Sequence, residues 1–178
     1  MKTILWAGLS ANGNYSQSDY DHAPSEAALY NFGEFVKEAG NYIVGRRTFE
    51  ALLRNQPAPS SKDNAADPFA GIDIVVISRN FQELPGVKIV ATPQQAIAYL
   101  QEKGHSTALL AGGVTLHNTF LEAGLVDELI LNISPLLEGK GVNLLLNQER
   151  PEHKEIKLLD FKSIGSDIIQ LRYAINPA

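Results

Sequence analysis

Cysteine is absent from the 178 residues. That excludes a disulfide framework and any thiolate nucleophile, and it fits a reducing compartment. Basic excess is also missing: 15 Lys and Arg stand against 20 Asp and Glu, a formal net charge of -5. Backbone binding of nucleic acid relies on basic patches, so nucleic acid is not expected as a partner. No apolar stretch is long enough to cross a bilayer, so no membrane association is expected. The opening MKTILWAGLSANG is apolar only briefly and has no small-residue cleavage site. It reads as a first strand and not as a signal peptide, and the expected location is cytoplasmic. Four histidines, His22, His105, His117 and His153, are scattered without metal-ligand spacing, so no metal is expected. His117, on the helix after the glycine pair, reads as a surface residue, with an approach to a bound cofactor as the alternative. Neither G-x-G-x-x-G nor G-x-x-x-x-G-K-[ST] occurs, and EGKGVN is too short for the second, so a dinucleotide would not be held in a Rossmann or Walker manner.

What is present is a globular composition, 44% hydrophobic, of a length that suits one domain over residues 1–178. TILWAGL is a continuous apolar run suited to a buried strand. The polar stretch SANGNYSQSDYDHAPS follows as a loop, with Asn12-Gly13 as a turn signal. PSEAALYNFGEFVKEAG reads as a helix closed by Gly40, with Leu29, Phe32, Phe35 and Val36 at helical spacing. YIVG is a strand and RRTFEALLRN a helix. QPAPSSKDNAADPFAG lacks periodicity and reads as a long loop. IDIVVIS and VKIVA are strands, PQQAIAYLQEKG a helix, TALLAG a strand, VTLHNTFLEAG a helix and VDELILNISP a strand. LLEGKGVNLL marks a turn. HKEIKLLDFKSIG and DIIQLRYAI read as an antiparallel pair, with Ile169, Leu171 and Tyr173 alternating with Gln170 and Arg172. Strands alternating with helices require parallel pairing with crossovers. The fold class is therefore α/β: a mixed, mainly parallel sheet flanked by helices on both faces, ending in an antiparallel hairpin.

Ligands of open α/β sheets bind beyond the carboxyl ends of the strands. After YIV comes Gly45-Arg46-Arg47-Thr48, after IVVI comes Ser78-Arg79, and after TALLA comes Gly112-Gly113-Val114-Thr115. Glycine lets the backbone approach a ligand, arginine suits phosphate, and a helix start offers unpaired N–H groups to an anion. Each feature alone has a plain alternative, a tight turn or a solvated charge. Their joint appearance at successive strand ends points to a phosphorylated ligand.

IVGRRTFEAL, VVISRN and LLAGGVTLHNTFLEAGLVDELILNISPLLEGKGVNLL together resemble the dihydrofolate reductase-like superfamily. The nearer resemblance is to the reductase domain of riboflavin biosynthesis, the C-terminal domain of the bifunctional deaminase-reductase. It runs from the first strand to the last hairpin. It implies an enzyme that takes hydride from NADPH, with Gly45 and Arg46, Arg47 and Thr48 against the cofactor phosphates. Ser78 and Arg79 would lie at the adenosine end, and Ala7 beside the nicotinamide. Val114 and Thr115 would meet the pyrophosphate, after a Gly112–Gly113 peptide that is cis in that family. The resemblance also implies a homodimer formed through the C-terminal part of the sheet.

The sequence departs from those relatives on the substrate side. Ser10-Ala11-Asn12-Gly13 stands where the riboflavin reductases have Ser-x-Asp-Gly, and their Asp-Pro-x-Leu-Thr segment and substrate-clamping arginines are missing. The acidic residue that holds the pterin in dihydrofolate reductase falls near Leu29, with Glu26 the nearest carboxylate on the helix. Candidate substrate-binding residues are Asn12, Glu26 and Tyr30; Glu26 could instead simply favour the positive end of its helix. Tyr15, Asp19, Tyr20 and Asp21 are candidate proton donors of the first loop. The expected activity resembles that of 5-amino-6-(5-phosphoribosylamino)uracil reductase, acting on a small heterocycle. The alternatives are a pterin reductase and a non-catalytic NADP-binding domain.

Overall fold

The structure is a computed structural model, and it describes residues 1–15, 25–54, 70–79, 86–139, 142–143 and 155–175. Its elements are β1 (Lys2–Ser10), β2 (Asn14–Tyr15), α1 (Glu26–Ala39), β3 (Asn41–Gly45), α2 (Arg46–Arg54), β4 (Asp73–Ile77) and β5 (Lys88–Val90). Then follow α3 (Pro93–Glu102), β6 (Thr107–Gly112), α4 (Val114–Glu122), β7 (Glu128–Ser134), β8 (Val142–Asn143), β9 (Ile156–Ser163) and β10 (Ile169–Ile175). The main sheet runs β5-β4-β3-β6-β1-β7-β10-β9. Pairing is parallel from β5 through β7 and antiparallel for β7–β10 and β10–β9. This is the mixed, mainly parallel sheet with a C-terminal hairpin that the alternation of strands and helices implies.

Side chains of successive strand residues point to opposite faces. Leu5, Ala7 and Leu9 of β1 therefore enter one core with Ala96 and Leu100 of α3 and Leu116 and Phe120 of α4. Ile4 and Trp6 enter the other, with Val36 of α1 and Phe49 of α2. Both faces are covered. At its N-terminus α1 is capped by Ser25, whose side chain accepts from the Ala28 N–H at 3.2 Å, and Gly40 closes it in the left-handed region. The base of the sheet is fastened at Glu128, which pairs with Lys2 of β1 at 2.5 Å and Arg172 of β10 at 2.7 Å. Burial disfavours that charge, but the hydrogen bonds from Lys2 and Arg172 outweigh it and hold the carboxyl below the ordinary glutamate range.

Four details differ from the sequence reading. The first loop and the LLEGKGVNLL turn each contribute a two-residue strand: β2 pairs with β1 and with β8. Leu29 does not join Phe32, Phe35 and Val36 in the core but is 55% exposed. In β10 the alternation is inverted at its start, where Ile169 faces outward and Gln170 is buried. His117 is not a surface residue: it is completely buried beneath the sheet.

Candidate cofactor and substrate site

The chain ends of β4, β3, β6 and β1 lie side by side in the sheet order, which sets Ser78, Gly45 and Gly112 in a row. The two glycine steps touch. A Cβ added to Gly45 would meet the Gly113 backbone N at 3.8 Å, and one added to Gly113 would lie 2.9 Å from Thr48 Oγ1. Here α2 and α4 start, at adjacent points. Neither has an acidic residue in its first turn, and Gly113 supplies no side-chain cap to α4. Their first N–H groups are thus left to an anion, with the positive ends of both helix dipoles beside it. The Gly112–Gly113 peptide is cis.

The other expected cofactor residues surround this point. Arg46 is half-buried and paired with Glu50 one turn on, at 3.3 Å. Arg47 and Arg79 are exposed and Ser78 is buried. Val114 is half-buried and Thr115 exposed on the first turn of α4. Ala7 is fully buried with its methyl in the core on the α3 and α4 side, so only its backbone can border a ligand.

Behind the glycines the contacts are aromatic. A Cβ on Gly112, where φ is +117°, would lie 2.7 Å from the Tyr15 hydroxyl and 3.9 Å from the His117 ring. Tyr15 and His117 meet edge to face with centroids 5.7 Å apart. Burial pushes the Tyr15 phenol up, away from ionisation. Burial also pulls the His117 imidazole down to about 3, against a weaker opposing pull from the Leu110 carbonyl. Neither ring nitrogen of His117 has a well-formed hydrogen bond among the described residues.

On the substrate side, Asn12 is held by the local chain. Its Oδ1 accepts from Ser10 Oγ at 2.8 Å and from the Glu138 N–H at 3.1 Å, and its Nδ2 donates to the Glu138 carbonyl at 2.8 Å. It pins the turn after β1 to the segment after β7. Glu26 and Tyr30 lie on the outer side of α1, and Tyr30 is 71% exposed. Asp19, Tyr20, Asp21, His22 and His153 lie outside the described residues, as does most of the QPAPSSKDNAADPFAG loop. Among the described residues no three His, Asp or Glu side chains come together to hold a metal ion.

Sequence reasoning missed a cluster on the α1 face. Asn31 Oδ1 accepts from Trp6 Nε1 at 3.2 Å, from Asn132 Nδ2 at 3.1 Å and from Gln170 Nε2 at 2.8 Å. Gln170 Nε2 also donates to Asn132 Oδ1 at 2.9 Å. The signal was available: Asn132 in LILNIS and Gln170 in IIQLR are amides within apolar strand runs, and buried amides need partners.

A family model for the RibD C-terminal domain matches residues 4–170. The chain belongs to the RibD C-terminal domain family. Two relatives are proteins of Bacillus subtilis (strain 168). Uncharacterized protein YwjB is 24% identical over 177 residues, 97% of each chain. Uncharacterized protein YyaP is 23% identical over 150 residues, 82% of this chain and 79% of its own length. Among solved structures, a putative riboflavin biosynthesis protein from Shewanella sp. PV-4 superposes with a TM-score of 0.71 at 22% identity, covering 99% of this chain and 100% of that one. Acinetobacter baumannii RibD superposes with a TM-score of 0.70 at 17% identity, covering 98% of this chain and 58% of its own. The fold is that of the RibD-like, dihydrofolate reductase-like structures.

Proposed function

We propose that the chain is an NADPH-dependent reductase that transfers hydride to a small heterocycle, with an activity resembling that of 5-amino-6-(5-phosphoribosylamino)uracil reductase. The observation that carries this reading is the meeting, at Gly45 and Gly113, of two helix starts that have no acidic residue in their first turns. Bound there, NADPH supplies the hydride. The residues from Gly45 to Thr48 and from Gly112 to Thr115 would hold its diphosphate through backbone N–H groups. Ser78 and Arg79 would hold the adenosine end, where a guanidinium suits a 2′-phosphate. The end of β1 at Ala7 and Gly8 would border the nicotinamide, since β1 follows β6 in the sheet. The protein's part is to align donor and acceptor carbons and keep water out. The pterin alternative is disfavoured because Glu26, Glu34 and Glu38 of α1 are all exposed, leaving no described carboxylate of that helix against the sheet.

Thermal stability with and without nucleotide tests the reading. NADPH at a hundred times its dissociation constant should add about 2.7 kcal/mol, with a smaller shift from NADH. Gly113→Val should abolish the shift, because a side chain there meets Thr48 and fills the backbone approach. Loss of NADPH absorbance with an aminouracil substrate then separates an enzyme from a non-catalytic binding domain. Absence of any shift removes the reading.

A homodimer through the C-terminal hairpin belongs to the same proposal. All 8 residues of β9 are exposed. The register of β9 on β10 slips by one residue between Arg172 and Tyr173. Ile156 thus opposes Ile175, Leu158 opposes Tyr173 and Phe161 opposes Leu171. The slip sets Ile156, Leu158 and Phe161 on one face, where regular alternation would have split them. A second copy of the chain would cover that face. Light scattering should give a dimer, and Phe161→Glu should give a folded monomer; a monomeric parent chain would refute this.

A further inference from the structure

The row of strand ends has a polar continuation. Gly8 of β1 is registered with Asn132 of β7, and Asn132 with Gln170 of β10, so the three share the α1 face of the sheet. Asn31 of α1 sits over the last two. Over Gly8 itself, a Cβ would find no described atom within 4 Å. A buried amide row therefore ends at a glycine with no described atom over it, on the strand where the reactive end of an elongated cofactor would arrive.

The orientation of these amides is set by Trp6. An indole N–H can only donate, so the atom of Asn31 that faces it must be the oxygen. The same oxygen takes the donors of Asn132 and Gln170. Asn31 Nδ2 is thereby turned away from the network and makes no hydrogen bond among the described residues. Asn31 is also only half-buried. The described members of the cluster are three amides and an indole, with no formal charge.

The geometry points to Asn31 as a specificity-determining residue: its Nδ2 donates to a carbonyl oxygen of an uncharged ring lying over Gly8, a uracil-like lactam edge, and Trp6, Asn132 and Gln170 hold it in that orientation. This rests on the reductase reading and names the residue that selects the ring edge. A ring that presents N–H donors on that edge, or that binds as a cation, would find donor facing donor or an uncompensated charge.

Trp6 is the one tryptophan of the chain, so its fluorescence reports on the group bonded to Asn31. The probes are 5-aminouracil, which offers carbonyl oxygens, and 2,4-diaminopyrimidine, which offers N–H donors, each titrated with NADPH present. The parent chain should bind 5-aminouracil with a change in Trp6 emission and prefer it to the diaminopyrimidine. Asn31→Asp keeps an oxygen for all three donors but replaces the outward donor by an acceptor. It should weaken 5-aminouracil at least tenfold and reverse the preference, while the NADPH-induced thermal shift is retained. Gly8→Val also alters the strand expected to border the nicotinamide, so it is titrated at NADPH concentrations that saturate the variant, and there it should block both probes by filling the space over the glycine. Unchanged probe order in Asn31→Asp, or 5-aminouracil binding that survives Gly8→Val, overturns the inference. A parent chain without an NADPH shift overturns instead the reductase reading on which it rests.

Discussion

Gly112→Ala is expected to destabilise the protein by about 2–5 kcal/mol, from a positive-φ penalty and an overpacked contact acting together. At φ +117° an L side chain is disfavoured whatever the surrounding space. The new methyl would also lie 2.7 Å from the Tyr15 hydroxyl, which is itself packed against His117 and has little freedom to retreat. The two terms can be separated. Tyr15→Phe alone removes a hydroxyl that makes no hydrogen bond among the described residues and should be close to neutral. In the Gly112→Ala background it should recover the steric part of the loss and leave the backbone part. Urea unfolding of the four proteins measures this as a double-mutant cycle. Additive effects of the two substitutions would show that the hydroxyl does not limit this position.

His117 should make the protein acid-sensitive well above the carboxylate range. The unfolded chain takes up a proton on this imidazole near 6.5, whereas the folded protein does not until about 3. Between those values the unfolded state holds the extra proton, so stability falls as pH falls. The stability is fully present above about 6.5 and declines by about 1.4 kcal/mol per pH unit below it, a loss of about 2 kcal/mol by pH 5. The depressed Glu128 carboxyl has the same sign but acts at lower pH, below its ordinary value of 4.5. A comparison of pH 7 with pH 5 therefore separates this histidine from the Glu128 carboxyl, and the variant below separates it from the other histidines. His117→Leu should cost little at pH 7, since it removes ring nitrogens without well-formed partners, and it should flatten the decline. Parallel pH profiles for the parent and the variant would refute this assignment.

Much of the architecture was legible because it rests on uninterrupted patterns. IVVI and TALLA are apolar runs of strand length, and they became β4 and β6. PQQAIAYLQEKG became α3, whose start the structure closes with a capping box of Thr92 and Gln95. The glycine steps were legible as candidates because their function needs a missing side chain, which a sequence displays directly. Their adjacency was not, since β3 and β6 are brought together only by the order of the sheet. His117 was misjudged for a related reason: a polar residue on an amphipathic helix normally faces water, and its packing against Tyr15 of β2 and Gly112 of β6 comes from elsewhere in the chain. Gln170 reversed the expected alternation because hydrogen bonds to Asn31 and Asn132 meet its needs inside the fold. Local pattern reports hydrophobicity along one segment; these exceptions depend on partners from elsewhere in the chain.

The first strand of this sequence lies in the middle of the finished sheet. Lys2 pairs with Thr107 and Ile4 with Glu128, so β1 has neither long-strand neighbour until much of the chain has been synthesised. At translation rates of about 5–20 residues per second, its apolar edges wait roughly five to twenty seconds for partners. Nascent chains should therefore need shielding by a holding chaperone over that interval, and translational pauses before β6 should lower the soluble yield more than pauses after β10.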